Sequence, residues 1–292
     1  MNPMAPLQHS PPDPLVPGGV YLCQVDDTIA CGACCGLYNC AGASREQLQQ
    51  LLAYRTERFA GVARNADAID DFRLNMERRE QGARPYGDFY VCPFLGLIGP
   101  HRSRPGCLLH PLAHGNDGID YRGLSFYGGL ACRDYFCPSY RSLPAAHKTI
   151  VKAVCTDWYL YGLVITEERM LTALFGAIET RLGRPLAPAE VVNRRPVRDP
   201  LAELLALKLS WLYRGPEWKG PANYFFNDGL HPRSPIDYGR INAPASVYDP
   251  LLRELESSFA SRSELTAAEA VIAAKLDRLL RALASPAEVA GH

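Results

Sequence analysis

Cysteines carry the clearest chemical signal in this sequence. The chain has ten of them, and the densest run is Cys31-Gly-Ala-Cys34-Cys35. A C-x2-C spacing lets two thiolates converge on one metal ion, and Gly32 permits the tight backbone that such a knuckle needs. Cys35 must face elsewhere, because adjacent side chains rarely point the same way. The run therefore predicts a metal site, with Cys35 serving a second metal or another edge of a cluster.

Further cysteines downstream complete the predicted ligand set. The predicted metal ligands are Cys31, Cys34, Cys35, Cys40, Cys92, Cys107, Cys132 and Cys137. Eight thiols make two four-coordinate sites, or one site with spare redox cysteines. Zinc and iron–sulfur clusters both accept four thiolates. The irregular spacing favours an iron–sulfur cluster, with zinc as the alternative.

The remaining cysteines and two histidines have simpler interpretations. Cys155 lies alone in a segment that reads as an apolar helix, and Cys23 lies in an expected strand, so both suit buried, inert thiols. His110 and His114 follow Cys107 closely. They are candidate zinc ligands, or else loop residues that take part in hydrogen bonds.

Arginines near the later cysteines are candidate cofactor-binding residues. Arg122 or Arg133 could bind an anionic substrate group, and Asp120 or Tyr127 could move protons. Arg133 also suits hydrogen bonding to cluster sulfurs. No nucleophile–base pair is recognisable, so whether the protein is an enzyme stays open.

The cysteine pattern resembles a known family. The run from Cys31 to Cys35, with Cys92-Pro-Phe-Leu and the later cysteines, is similar to the YkgJ-type cysteine-cluster proteins, which are described as zinc- or iron-chelating. The similarity covers residues 27 to 140. The family's leading cysteine would fall at Asp27 or Thr28, so Cys23 or Cys40 would have to take its place. The interval from Cys107 to Cys132 is also longer than in the family.

Three functions are compatible with this pattern. The first is an iron–sulfur protein with a role in redox chemistry or protein modification. The second is a zinc-stabilised interaction protein without catalysis, whose helices bind a protein partner. The third is a protein-modifying enzyme, because the cysteine motif is distantly similar to that of flagellin lysine N-methylases. No G-x-G nucleotide loop accompanies the motif.

Composition limits the compartment and the partners. Basic and acidic residues balance at 31 each, so the basic excess typical of nucleic-acid binding is missing. No run of about 18 apolar residues predicts a membrane span, and the chain start lacks the features of a secretory signal. We expect a cytoplasmic protein, where clustered cysteines bind metal more often than they form disulfides.

The sequence predicts a mainly α fold in three parts. Residues 1–18 contain six prolines and are expected to form a disordered leader. Residues 19–144 form an irregular cysteine-rich metal-binding region with two helices and short strands. Residues 145–292 form a helical half on which this region packs, and the two are expected to make one continuous domain.

Capping residues and apolar periodicity set the expected elements. The first helix begins after Ser44, which forms a capping box with Gln47. The other predicted helices are Ala66–Glu80, Ala145–Leu163, Glu167–Leu182, Asp199–Tyr213, Asp249–Ala260 and Thr266–Leu283. Short strands are predicted at Gly19–Val25, Phe89–Val91 and Leu124–Tyr127. An aromatic loop from Trp218 to Phe226 is expected to pack on the core or to line a pocket.

Overall fold

The structure is a computed structural model of the chain. It describes residues 13–39, 42–80, 90–128, 131–218, 220–221 and 233–285. Cys40 therefore lies outside the described residues, and so do Phe89 and most of the predicted aromatic loop.

The described residues are mainly helical, with one two-stranded sheet. The helices are α1 (Arg45–Ala60), α2 (Ala66–Arg79), α3 (Ser139–Ser142), α4 (Ala145–Val154), α5 (Trp158–Ile165), α6 (Glu168–Leu182), α7 (Arg195–Leu205), α8 (Leu207–Ser210), α9 (Asp249–Glu254) and α10 (Arg262–Ala284). The strands are β1 (Leu95–Ile98) and β2 (Arg104–Cys107). The predicted mainly α class is confirmed. No helix in these ranges combines the length and the apolar character needed to cross a membrane.

The two helices expected in the cysteine-rich region are present. Ser44 caps α1 through the predicted capping box with Gln47, and Asn65 caps α2 by accepting from the Ala68 amide. Helix α1 packs on β1. Its Thr56 hydroxyl donates to the Leu97 carbonyl at 3.1 Å and accepts from the Leu97 amide at 2.7 Å. The helix therefore fixes the hairpin that carries Cys107.

The predicted strands at Gly19–Val25 and Leu124–Tyr127 are wrong, and the predicted Phe89–Val91 strand lies partly outside the described residues. The Gly19–Val25 segment has only an isolated bridge between Gln24 and Ala30, since the Leu22 amide bonds a side chain instead. The described end of Phe89–Val91 is irregular, and the Leu124–Tyr127 segment follows a 3-10 turn. The antiparallel hairpin lies elsewhere, with Leu95 opposite Cys107. Alternation did not reveal it, because both faces of β1 are covered.

Two predicted helices are each divided in two. The predicted Asp199–Tyr213 helix is broken at Ala206 into α7 and α8 and ends at Ser210. The expected Ala145–Leu163 helix stops at Val154, and Cys155 is its C-cap. Asp157 begins α5, because its side chain accepts hydrogen bonds from the Tyr159 and Leu160 amides. Cys155 is therefore at a helix end instead of inside a helix.

Several boundaries in the second half also needed correction. Helix α7 begins four residues before Asp199 and carries Pro200 inside, with Pro196 in its first turn. Helix α9 ends at Glu254. Ser261, and not Thr266, caps α10 by accepting from the Glu264 amide. At α10 the prediction chose one of two plausible caps, and the side-chain hydrogen bond of Ser261 selected the other.

The largest core lies among the helices of the second half, and two smaller cores lie under the cysteine-rich region. Trp158 and Trp211 are buried, as predicted. Arg214 stacks over the Trp218 ring at 4.3 Å. Residues 13–18, assigned to the leader, have defined positions because Val16 is buried and the Lys148 ammonium binds the Gly18 carbonyl at 2.9 Å.

Candidate metal centre

The turn that carries Cys34 and Cys35 sends their side chains to different neighbours. Residues Ala33–Cys35 form a 3-10 turn, and Gly36 ends it with a φ of 79°. With three residues per 3-10 turn, successive side chains leave about 120° apart. The Cys34 and Cys35 side chains therefore face different neighbours, although the Cys35 thiol still donates a hydrogen bond to Cys34.

Four cysteines surround a small cavity on one side of this turn. We call Cys23, Cys31, Cys34 and Cys137 the first cysteine group; all four line a cavity of about 20 Å³. The Cys31 amide donates to the Cys23 carbonyl at 2.8 Å, which places these two residues side by side. Cys137 lies two residues before α3. Thus three separate chain segments meet at the cavity.

A second set of four lies on the other side of the turn. We call Cys35, Cys92, Cys107 and Cys132 the second cysteine group. Cys35 and Cys107 pack on the apolar cluster that contains Cys92, and the Cys92 amide donates to the Cys35 carbonyl at 2.8 Å. The charge of a Cys132 thiolate contributes to raising the pKa of both Cys92 and Cys107, so Cys132 lies close to both. Cys132 is the exposed member.

Burial controls the protonation of these thiols. It raises the pKa of Cys23 to about 12, with a further increase from charge on Cys34. It raises the pKa of Cys107 to about 12 and that of Cys92 to about 11. The pKa of Cys34 is lowered, mainly because the Cys35 thiol donates to it. Without a cation most of these groups are therefore neutral thiols, and metal binding would release their protons.

All nine cysteines in the described part of the chain are free thiols. Within the same ranges, no three Cys, His, Asp or Glu side chains already stand at the spacing of a metal site. The sulfurs of either group would have to draw together around an ion.

Each group has a tyrosine hydroxyl beside one sulfur. The Tyr140 hydroxyl lies 3.1 Å from the Cys23 sulfur. The Tyr90 hydroxyl is buried beside Cys92, and burial, followed by the charge of Cys92 and a hydrogen bond to its sulfur, raises the pKa of Tyr90. The Tyr90 hydroxyl lowers the pKa of Cys92 in return, because it donates to the thiolate form.

Arg122 contacts the second group, and Arg133 is the residue that follows Cys132 in the chain. The Arg122 guanidinium forms an ion pair with Asp120 at 2.6 Å and donates to the Cys132 carbonyl at 3.4 Å. Hydrogen bonding from Arg122 lowers the pKa of Asp120 to about 2. Arg133 is exposed. The Arg122 guanidinium is therefore within electrostatic reach of Cys107 and Cys132.

The two histidines take part in turn structure. The His110 Nδ1 accepts from the Leu112 amide at 3.1 Å, and burial, followed by the charge of Arg122, lowers the pKa of its imidazole. His114 is exposed, and its carbonyl accepts from Arg64 at 3.2 Å. The His110 ring therefore agrees with the hydrogen-bonding interpretation, whereas the contact of His114 with Arg64 is made by its main chain.

Sequence reasoning missed Cys23 as a site residue. It was interpreted as an inert strand cysteine, yet it lines the first cavity. The available signal was the missing leading cysteine of the resembled family, which offered Cys23 as one of two replacements. Cys155 is buried outside both groups, and burial raises its pKa to about 12.

No protein-family model, no curated protein and no solved structure matches this chain at a significant level.

Proposed function

We propose that this protein holds a metal centre through its clustered cysteines, as an iron–sulfur protein with a role in redox chemistry or protein modification. One observation carries the proposal. Eight free cysteines form two groups of four on either side of the Cys34–Cys35 peptide, from chain segments far apart in sequence. Inert packing cysteines have no reason to meet in fours.

The donor set fits such a centre. Four thiolates are the usual ligands of iron–sulfur clusters and of structural zinc. The buried Tyr90 hydroxyl beside Cys92 supports this assignment, because a metal-bound thiolate remains a hydrogen-bond acceptor for it. The resemblance to YkgJ-type proteins points to the same chemistry.

Buried cations near both groups would offset the charge of bound thiolates. Lys148 is 1% exposed, and burial lowers its pKa while charge on Cys137 opposes that shift. Arg55 is 0% exposed, and its guanidinium donates to the Cys92 carbonyl at 2.9 Å. An iron–sulfur cluster would supply electron-transfer chemistry, and these residues would hold its ligands and balance its charge.

Zinc is the second candidate, and the cavity volume favours it. About 20 Å³ at the first group is room for roughly one water-sized particle. A single ion fits that space more easily than a multi-iron cluster. In this case the metal would hold the loops, and exposed apolar residues of the 112–127 segment, such as Leu112 and Phe126, could contact a protein partner.

Substitution of single cysteines tests the proposal. Cys34→Ser should lower the metal content per chain by removing a ligand of the first group, and Cys35→Ser should do so at the second. Cys155→Ser is the matched control, because Cys155 is buried outside both groups. Metal contents that are equal in all three variants would refute the assignment of these cysteines.

A further inference from the structure

Tyr140 occupies a central position at the first cysteine group. Its side chain is 0% exposed. The hydroxyl oxygen accepts from the Leu22 amide at 2.8 Å and lies 3.1 Å from the Cys23 sulfur. The ring also packs edge-on against Phe136 at 4.7 Å. The hydroxyl is therefore held in place from both sides.

The hydrogen-bond inventory fixes the direction of the sulfur contact once Cys23 is a thiolate. A tyrosine hydroxyl has one proton and accepting lone pairs. The Leu22 amide uses an accepting position. A thiolate cannot donate, so the Tyr140 proton must point to the Cys23 sulfur.

The backbone of Tyr140 fixes a second member of the group. Its amide donates to the Cys137 carbonyl at 3.0 Å. Its carbonyl accepts from the buried Lys148 ammonium at 2.8 Å. One residue thus contacts Cys23 by its side chain and Cys137 by its main chain, and both cysteines line the same cavity.

We propose that Tyr140 is a positioning residue of the first cysteine group, whose hydroxyl donates a hydrogen bond to the Cys23 thiolate and holds that sulfur toward the metal. This inference rests on the proposed metal centre. Partners of metal ligands commonly change metal affinity about 10- to 100-fold when they are removed.

Tyr161 provides a matched control. It is also 0% exposed, and its hydroxyl donates to the Leu22 carbonyl at 2.8 Å. Both tyrosines therefore bind the backbone of Leu22, but only Tyr140 has a hydrogen bond to sulfur among the described contacts. Tyr161→Phe removes a buried hydroxyl of the same kind, whose hydrogen bond goes to a backbone carbonyl and not to a sulfur.

The experiment loads wild type, Tyr140→Phe and Tyr161→Phe with Co²⁺ as the probe metal. Two readouts are recorded: the sulfur-to-cobalt absorption band and the rate of Co²⁺ release to excess chelator. We expect a shifted band and one release phase about tenfold faster in Tyr140→Phe. Tyr161→Phe should match wild type in both readouts, although both variants lose some stability to unfolding.

One result would overturn the role of Tyr140, and a different result would overturn the metal centre on which that role rests. If both variants behave alike in band and release rate, Tyr140 is only a core residue and the metal centre stands. If wild type binds no Co²⁺, the proposed centre itself fails. A Cys23→Ser background separates the role of Tyr140 from a folding defect. In that background, adding Tyr140→Phe should not change Co²⁺ release further, because the sulfur it contacts is already gone. An effect as large as in the wild-type background would also refute the role.

Discussion

The Cys92 amide donates a 2.8 Å hydrogen bond to the carbonyl oxygen of Cys35. This bond ties the turn of Cys34 and Cys35 to the start of the hairpin that carries Cys107. The contact requires the residue after Cys35 to be glycine. A Cβ on Gly36 would lie 2.1 Å from the Tyr90 carbonyl oxygen. Backbone packing thus holds Cys35 next to Cys92 independently of any metal.

Gly36→Ala should therefore destabilise the protein strongly. Gly36 combines a φ of 79° with the Tyr90 contact, and a strained backbone alone costs about 1–3 kcal/mol. We expect a loss above that of Gly183→Ala, where φ is 72° but a Cβ meets nothing. Gly61→Ala, with a φ of −92° and open space, should be nearly neutral. Urea unfolding measures all three, and equal losses at Gly36 and Gly183 would show that the Tyr90 contact yields freely.

The buried Arg55 guanidinium is expected to be essential for stability. It forms an ion pair with Glu80 and donates to the Leu95 carbonyl at 3.2 Å. Arg55→Met leaves a carboxylate and two carbonyls without their donor, so we expect a loss of about 3–5 kcal/mol in the free energy of unfolding. Arg73→Met, which breaks partly exposed helix pairs with Asp70 and Glu77, should cost about 0.5 kcal/mol. Similar losses for the two variants would contradict this account.

Glu167 should make stability depend on acid pH. Burial alone would raise the pKa of this carboxyl, but the charges of Lys208 and Arg233 outweigh it, so the pKa is lowered from 4.5. The Lys208 ammonium is 2.6 Å away, and Arg233, at 3.1 Å, also faces Glu254 and Glu256. A carboxyl whose pKa is lower in the folded than in the unfolded state stabilises the fold at any pH above its unfolded-state pKa. This stabilisation is lost as the pH falls through its folded-state pKa.

The measurement is urea unfolding between neutral pH and about pH 3, on wild type and Glu167→Gln. Below the unfolded-state pKa of Glu167, wild type should lose more stability than the variant does, because the glutamine takes up no proton. The variant starts less stable at neutral pH, since Lys208 remains buried without its charge partner. Identical pH slopes would show that Glu167 does not titrate as described.

Local signals in the sequence were sufficient for some elements. The capping box of Ser44 and Gln47 placed the start of α1 correctly, because its hydrogen bonds lie within four residues. The position of Cys23 depends on long-range contacts, with Tyr140 far along the chain. No local pattern carries that information. The sequence offered two four-cysteine sites as one of two possibilities. Which cysteine belongs to which group could be read only from the folded chain.

The break between α4 and α5 shows the same limit. The residues from Ala145 to Leu163 are apolar at helical spacing, so the sequence predicted one helix. Asp157 can cap a new helix or face solvent inside a long one, and Arg45 binds its carboxylate at 2.6 Å. That contact comes from α1, which local reasoning could not bring to Asp157.

Elemental analysis of the protein purified without oxygen, with its absorption spectrum, tests the central claim most directly. We predict bound iron with acid-labile sulfide and a broad absorption band in the blue region; zinc in a colourless protein would support the second candidate. Either metal should fall when Cys34 and Cys35 are both changed to serine. A wild-type protein that carries neither iron nor zinc, and binds neither when it is supplied under reducing conditions, would contradict the account.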